Sequence, residues 1–299
     1  DLLLIKARDK AYVKHRSDSL ILDVIKYYED HDDRNLYPEA LYYGGRVYCD
    51  IGDYPTALKY FQKALDKYPD NSTDLVRSNI LSQTGGLLQD MGVPLDAIPY
   101  LKESIEIGKA LRDTVNLVYD NQLLGSIYMA ARMYDKAELQ FNEAREWAEI
   151  VSDIPYSNQL KGNVKAYMAT LMRKKGNLDS ALSLIHGIDW IVEPEYRNYA
   201  LITAAHTYLK AEQIDSAYKY ARLLVGQRDS NNRELGYRVL LNPKLRDRVS
   251  PDSLLSYVVK YRDILEDYRR HHQLQQLYVQ NARYNYTVQQ RERHKAERK

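Results

Sequence analysis

The chain has 299 residues, 44% of them hydrophobic and 28% charged, with a formal net charge of +2. It contains no run of 18 or more apolar residues, which excludes a membrane-spanning helix within it, and its one cysteine, Cys49, excludes an internal disulfide framework. This length is large for one compact core but natural for a stack of repeats, each burying its apolar face only against its neighbours.

Residues 2–14 and 18–30 read as an opening helix pair. Leu2, Leu3, Ile5, Tyr12 and Val13 supply one apolar face, and Leu20, Ile21, Val24, Ile25 and Tyr28 the other. A polar connection, His31 to Asn35, follows. The stretch from Ala40 to Pro69 then sets the pattern for the rest. Its first helix carries Leu41, Gly44, Gly45 and Tyr48 at spacings of three and four. Gly52-Asp53 turns the chain. The second helix carries Ala57, Phe61 and Ala64, and Pro69 stops it. Small residues at Gly45 and Ala57 let two helix backbones approach, and Tyr48 and Phe61 fill the wedge beside them.

The same frame recurs at Gly85, Leu88, Ala97 and Leu101, then at Gly125, Tyr128, Ala137, Phe141 and Ala144. Ala169, Ala181 and Ile185 repeat it more weakly, and Ala205, Tyr208, Ala217 and Ala221 repeat it well. Degenerate units centre on Leu20 and Leu254. Equivalent small residues lie 36 to 44 residues apart. The extra residues fall mostly between units, as at Ile107–Val115 and Glu149–Ser157, where longer second helices or longer loops would equally account for them. Asp or Ser ahead of or within the first turn of the second helices favours the positive end of the helix dipole. Tandem glycines at 44–45 and 85–86 lie inside helical patterns and read as close packing, since neither has the strand or the Lys-Ser/Thr of a phosphate loop.

Residues 226–250 form the loosest part of the body, with turn signals at Asn231-Asn232 and Asn242-Pro243 and a short helix between them. A long helix then starts near Pro251, and Leu254, Val258, Tyr261, Leu265 and Tyr268 give it one docking stripe. From Arg269 to Lys299 there are 8 Lys/Arg against 2 Asp/Glu, while the rest of the chain has 35 against 39. A mildly acidic body thus ends in a basic tail, which fits a solvated helix end or a segment beside a membrane. No basic face on the body extends it, which argues against direct nucleic-acid binding by this segment. Divided in this way, the chain has a degenerate helix pair at 1–35, repeats at 36–226, a degenerate repeat and capping helix at 227–270, and a basic helix or tail at 271–299.

The order small, aromatic, turn, small, aromatic, small, Pro resembles the tetratricopeptide repeat, a helix–turn–helix unit of about 34 residues. The resemblance implies an all-α fold: a right-handed superhelical α-solenoid of antiparallel helix pairs, ending in a long C-terminal helix. It also implies a concave groove, lined by the first helix of each unit, that receives a protein or peptide partner. The candidate groove residues are Tyr42 and Arg46, then Asn79, Ser82 and Gln89, then Tyr119, Gln122 and Ser126. Asn163, Thr170 and Arg173 follow, then Tyr199 and His206. Tyrosine outnumbers phenylalanine 28 to 2; a ring with a hydroxyl suits both the half-buried sites of a two-layer solenoid and a recognition surface.

No arrangement points to catalysis, a cofactor or a metal. His271 and His272 are adjacent, so on a helix they diverge and cannot share one ion. Cys49 has no cationic or histidine neighbour in sequence and reads as a small filler. The positions at which some tetratricopeptide domains carry a Lys/Asn clamp for a peptide carboxylate hold no such pair here. The recurring Asp-Ser-Ala/Leu helix starts and the tail around Leu277-Tyr278 to Tyr284-Asn285-Tyr286 are similar to the extracytoplasmic sensor portions of bacterial membrane-anchored regulators. That likeness implies a periplasmic sensor whose anchor lies outside a chain cut before it, consistent with a start at Asp1 without Met. A cytoplasmic adaptor on the same groove is the alternative. The ligand and the oligomeric state are not readable.

Overall fold

The computed structural model describes residues 1–11, 13–31, 36–69, 72–151, 157–186 and 198–296. Most of the polar connection expected after His31, the 152–156 part of the expected Glu149–Ser157 insertion, and the side chains of Tyr12, Tyr68's successor positions 70–71, Tyr268, His271, His272, Leu277, Tyr278 and Asn285 lie outside the described residues. Among the described residues every regular element is helical. The chain is an α-solenoid of antiparallel helix pairs, and it divides into two compact units, Asp1–Asn116 with Gln273–Lys299, and Leu117–His272.

The first unit holds α1 (Leu2–Lys10), α2 (Ser19–Asp30), α3 (Leu36–Ile51), α4 (Tyr54–Leu65), α5 (Leu75–Asp90), a 3-10 turn (Pro94–Ala97) and α6 (Ile98–Leu111). Its pairs are α3 with α4 and α5 with α6. At the contact of α3 with α4, a Cβ added to Gly45 would stand 2.2 Å from the Phe61 ring. Phe61, Ala57 and Ala64 are all fully buried. Burying a ring of that size stabilises by about 1.5–3 kcal/mol, and it can lie flat there because glycine leaves the room. In α5 and α6 the same places are taken by Gly85 and Leu101, where the added Cβ would come within 2.6 Å. Beside them the buried hydroxyls of Ser78 and Ser104 lie 3.2 Å apart, a second pair of small side chains at the helix contact.

The second unit repeats the design. It takes in most of α7 (Thr114–Ala130), then α8 (Tyr134–Ile150), α9 (Ser157–Lys175), α10 (Leu178–Ile185), α11 (Asn198–Lys210), α12 (Ile214–Val225) and α13 (Ser230–Leu240). A 3-10 segment (Pro243–Arg248) leads to α14 (Pro251–Ala296), a single helix of 46 residues. Gly125 faces Phe141 as Gly45 faces Phe61, at 2.5 Å for the added Cβ. Ala137, Ala181 and Ala217 are all fully buried, like Ala57 and Ala97. Tyr208 stacks on Tyr220 at 5.3 Å and 13°, as Tyr48 stacks on Tyr60 at 5.4 Å and 12°.

The turns are equally regular. Five residues before each of these alanines the backbone is left-handed: Gly52, Gly92 and Gly176, with φ of 88, 75 and 86°, and Arg132 and Glu212, with φ of 60 and 59°. Two units therefore hold non-glycine residues in a conformation that costs an L-residue about 1–2 kcal/mol. Side chains cap the helices that follow several turns. Asp53 accepts the Thr56 N–H at 3.2 Å, Asn177 the Ser180 N–H at 3.1 Å, and Ser250 the Ser253 N–H at 3.3 Å ahead of Pro251.

Three expectations change, and one open alternative is decided. Asn231 and Asn232 do not turn the chain; they open α13, whose N-cap Asp229 accepts the Asn232 N–H at 2.9 Å. The docking stripe of α14 runs through Leu254, Tyr257, Tyr261 and Ile264, not through Val258, which is 47% exposed. A stripe read at spacings of 4, 3, 4 and 3 fits equally well one residue over, and the buried Tyr257 decides it. Of the tandem glycines, Gly86 has nothing within 4 Å of an added Cβ, so it has no packing role. Between α6 and α7 the inserted residues lengthen the helix, since α6 continues to Leu111.

The contrast between glycines gives a stability prediction. Gly45→Ala forces the Phe61 ring from its place and should cost about 1–3 kcal/mol. Gly86→Ala, in a helix interior with open space, should stabilise by about 0.5–1 kcal/mol. Urea denaturation of both variants checks this, and equal shifts of the two would contradict the register.

Candidate functional site

In the second unit the first helices of successive repeats, α9 and α11, pack on each other, and α11 packs on α13. Their shared face collects four of the predicted groove residues. The ring of Tyr167 in α9 is the centre of an aromatic ladder. It stacks on Phe141 at 5.5 Å and on Tyr199 of α11 at 4.3 Å, both within 27° of parallel. The Tyr199 hydroxyl donates to Thr170 Oγ1 at 3.3 Å. Thr170 lies 3.1 Å from Thr203 Oγ1 and donates its own proton to the Ala166 carbonyl at 3.0 Å. The three hydroxyls thus form a chain that ties α9 to α11.

Arg173 lies one turn beyond Thr170 and is half-buried. It makes no ion pair among the described residues, and its Nε is buried with no hydrogen-bond partner there. Burial holds its pKa below the ordinary guanidinium value. The His206 imidazole is pushed down to about 4, first by burial and then by the charges of Arg173 and Arg238. His206 is therefore neutral at neutral pH. Arg238, on α13, reaches Glu234 only at 4.0 Å. Burial raises the Tyr167 hydroxyl to about 12 and raises that of Tyr199 as well, so both remain donors. The face presents an aromatic wall, hydroxyl donors and a guanidinium without a counter-charge among the described residues. Such a set can hold a carboxylate or a backbone carbonyl against a flat apolar surface.

The other candidates of this unit are dispersed by burial and by local bonds. Tyr119 is 42% exposed, Gln122 is buried, and Asn163 is half-buried. Ser126 donates to the Leu123 carbonyl at 2.8 Å. In the first unit Tyr42 is buried against Tyr43 and Phe61, and burial raises its hydroxyl pKa. Arg46 is answered on both sides: Asp9 holds it at 2.9 Å and Gln83 at 2.5 Å. Asn79 accepts from Asn116 at 2.8 Å, Ser82 is half-buried and Gln89 is exposed. Cys49 is half-buried and free, and burial pushes its thiol up to about 12, far from a reactive thiolate. Among the described residues no group of His, Cys, Asp and Glu is placed to hold a metal ion.

Three members of the Arg173 cluster are absent from the sequence reading: Tyr167, Thr203 and Arg238. Tyr167 and Thr203 were within reach, because each lies three residues before a predicted groove residue, Thr170 or His206, on the same helix face. Arg238 was not, because α13 was expected only as a short helix beside a boundary.

Residues 38–71 match the family model described as tetratricopeptide repeat. Tetratricopeptide repeat protein 29 of Homo sapiens is 29% identical over 150 residues, which take in 48% of this chain and 31% of that protein. The Macaca fascicularis protein of the same name is 28% identical with the same coverage. The chain thus spans about a third of the length of the curated relatives it matches. Among solved structures, apo RapI aligns with a TM-score of 0.58 at 14% identity, over 85% of this chain and 98% of that one. The Rap conjugation gene regulator of the plasmid pLS20, in complex with the Phr* peptide, aligns at 0.56 and 14% identity, over 89% and 77%. BtubC from P. vanneervenii aligns at 0.56 and 16% identity, over 70% and 88%. At these identities the likeness is one of fold. The second helix pair thus matches a tetratricopeptide repeat, and its packing frame recurs along the chain from Gly45 to Ala221.

Proposed function

We propose that the chain is a binding scaffold without catalytic function, and that the α9–α11–α13 face receives an extended peptide or protein segment. One observation carries this reading: Arg173 is half-buried and, among the described residues, without an ion-pair partner beside the Phe141–Tyr167–Tyr199 ladder. An ion left without a partner as water is removed is costly, and a ligand carboxylate supplies the missing partner. The ladder offers the flat surface on which a peptide side chain or peptide bond rests. The pLS20 regulator, similar in fold, was solved in complex with the Phr* peptide, which supports a peptide as ligand. No cofactor is needed.

We further propose that this segment is the sensor portion of a membrane-anchored regulator in which α14 connects the repeats to an anchor. The support is the 46-residue length of α14 and the basic composition from Arg269 onward. Among the described residues no helix is long and apolar enough to cross a membrane, so the anchor belongs to flanking sequence. Fractionation of the intact protein tests this: recovery with membranes upholds the sensor, and recovery in cytosol with a bound partner leaves the adaptor.

Selection from a displayed random peptide library tests the face itself. Peptides with an acidic side chain or a free C-terminus should be enriched. Arg173→Gln should weaken their binding by about tenfold, the value of one charge-assisted hydrogen bond, with helicity unchanged. Unchanged affinity in that variant would remove the face from the function.

His206 supplies a pH prediction. Its folded pKa lies below the ordinary 6.5, so between about 4 and about 6.5 the unfolded chain binds the extra proton. Stability should fall by about 1–3 kcal/mol as the pH drops through that window, because protonation adds a charge beside Arg173 and Arg238. His206→Asn should flatten this part of the curve in thermal melts taken at several pH values.

A further inference from the structure

A cavity of about 180 Å³ opens at the N-terminal end of the first unit, between α1, α2 and α3. Its floor is apolar, made by Ile5, Ile21 and Val47, each 1% exposed. His15 stands in the wall at 7% exposure. The His15 backbone N–H donates to Asp50 Oδ2 at 2.9 Å, and His15 Nδ1 meets the same oxygen at 2.9 Å. Asp50 does not line the cavity. The other ring nitrogen, Nε2, is buried and has no hydrogen-bond partner among the described residues.

The mouth is cationic and polar. Arg8 and Arg16 line it, both exposed and neither in an ion pair among the described residues. The hydroxyls of Ser17 and Ser19 complete the rim, 3.0 Å apart. The α2 helix of 12 residues begins at Ser19 without a side-chain cap. Asp18 stands in the capping position, but its carboxylate accepts the Tyr48 hydroxyl at 2.6 Å instead. The Ser17 hydroxyl accepts the Ser19 N–H at 3.3 Å at the start of that helix.

These walls decide what fits. A neutral apolar molecule would cover the floor and leave both guanidinium groups unanswered. A bare inorganic ion would answer the cations and leave the floor wet. A cavity of about 150 Å³ admits benzene, so this one has room for a six-membered ring. We propose that the cavity binds a small organic anion, a carboxylate or phosphate on an apolar body of about one ring. The ring rests on Ile5, Ile21 and Val47, and the charge lies between Arg8 and Arg16. The hydroxyls of Ser17 and Ser19 on the rim donate to the anion's oxygens.

Isothermal titration with phenyl phosphate and with benzoate tests the proposal, with inorganic phosphate and benzyl alcohol as controls. At least one organic anion should bind 1:1 and about tenfold more tightly than either control. Binding by one or by both upholds the site and tells which acid group it takes. The double variant Arg8→Gln/Arg16→Gln changes only exposed side chains, so its ligand-free melting temperature should stay put while affinity falls about tenfold. Arg173→Gln should bind these anions as the parent does, which separates this site from the peptide face. Organic anions that bind no better than inorganic phosphate, or that bind the double arginine variant unchanged, would overturn the proposal.

Discussion

The structure depends on how closely two helix backbones can approach. At Gly45 and at Gly125 there is no room for a single carbon, because a buried phenylalanine ring occupies the place a side chain would take. The alanine four residues before each ring, Ala57 or Ala137, clears the other side of the contact. This exchange of a side chain on one helix for a ring on the other fixes the distance and the rotation of each pair. Once every pair has the same geometry, pairs stack, and no central core is required. The left-handed turn residue ahead of each second helix follows from the same constraint. A short turn must return the chain along the helix it has just left, and two units hold Arg132 and Glu212 there despite the strain.

Most of this was legible in the residues because the constraint selects residue types. Only glycine or alanine fits at the close contact, and only a large apolar group fills the space opposite. Spacings of 4, 7 and 12 from Ala57 therefore recur wherever a pair recurs. The stripe on α14 was misplaced by one residue because Val258 and Tyr257 both satisfy a helical period, and tertiary packing alone chooses between them. Asn231-Asn232 misled because asparagine serves turns and helix starts by the same local hydrogen bonding. Gly86 misled because a glycine next to Gly85 looks like part of the same contact, although it faces away from it.

The binding face was harder to read. Position on a helix tells which way a side chain leaves the backbone, not whether another helix covers it or answers its charge. Arg46 lies one residue past the small residue of its unit, Gly45, and Arg173 lies four past Ala169, one turn further along the same helix type. Asp9 and Gln83 satisfy the first, whereas the second makes no ion pair among the described residues and lies beside Tyr199 and His206. The difference comes from α1, whose Asp9 lies 37 residues away from Arg46. Such a partner cannot be inferred from a local pattern. The N-terminal cavity escaped the sequence for a similar reason: His15, Arg8 and Arg16 carry no motif, and Asp18 looked like an ordinary cap.

Amide hydrogen exchange followed along the whole chain tests most directly whether one repeated contact holds the structure. The account predicts slow exchange in the second helices around Ala57, Ala97, Ala137 and Ala217, with the turns at Gly52, Gly92, Arg132 and Glu212 exchanging fast between them. Protection concentrated in one region, with some of these four helices exchanging as fast as the turns, would contradict it.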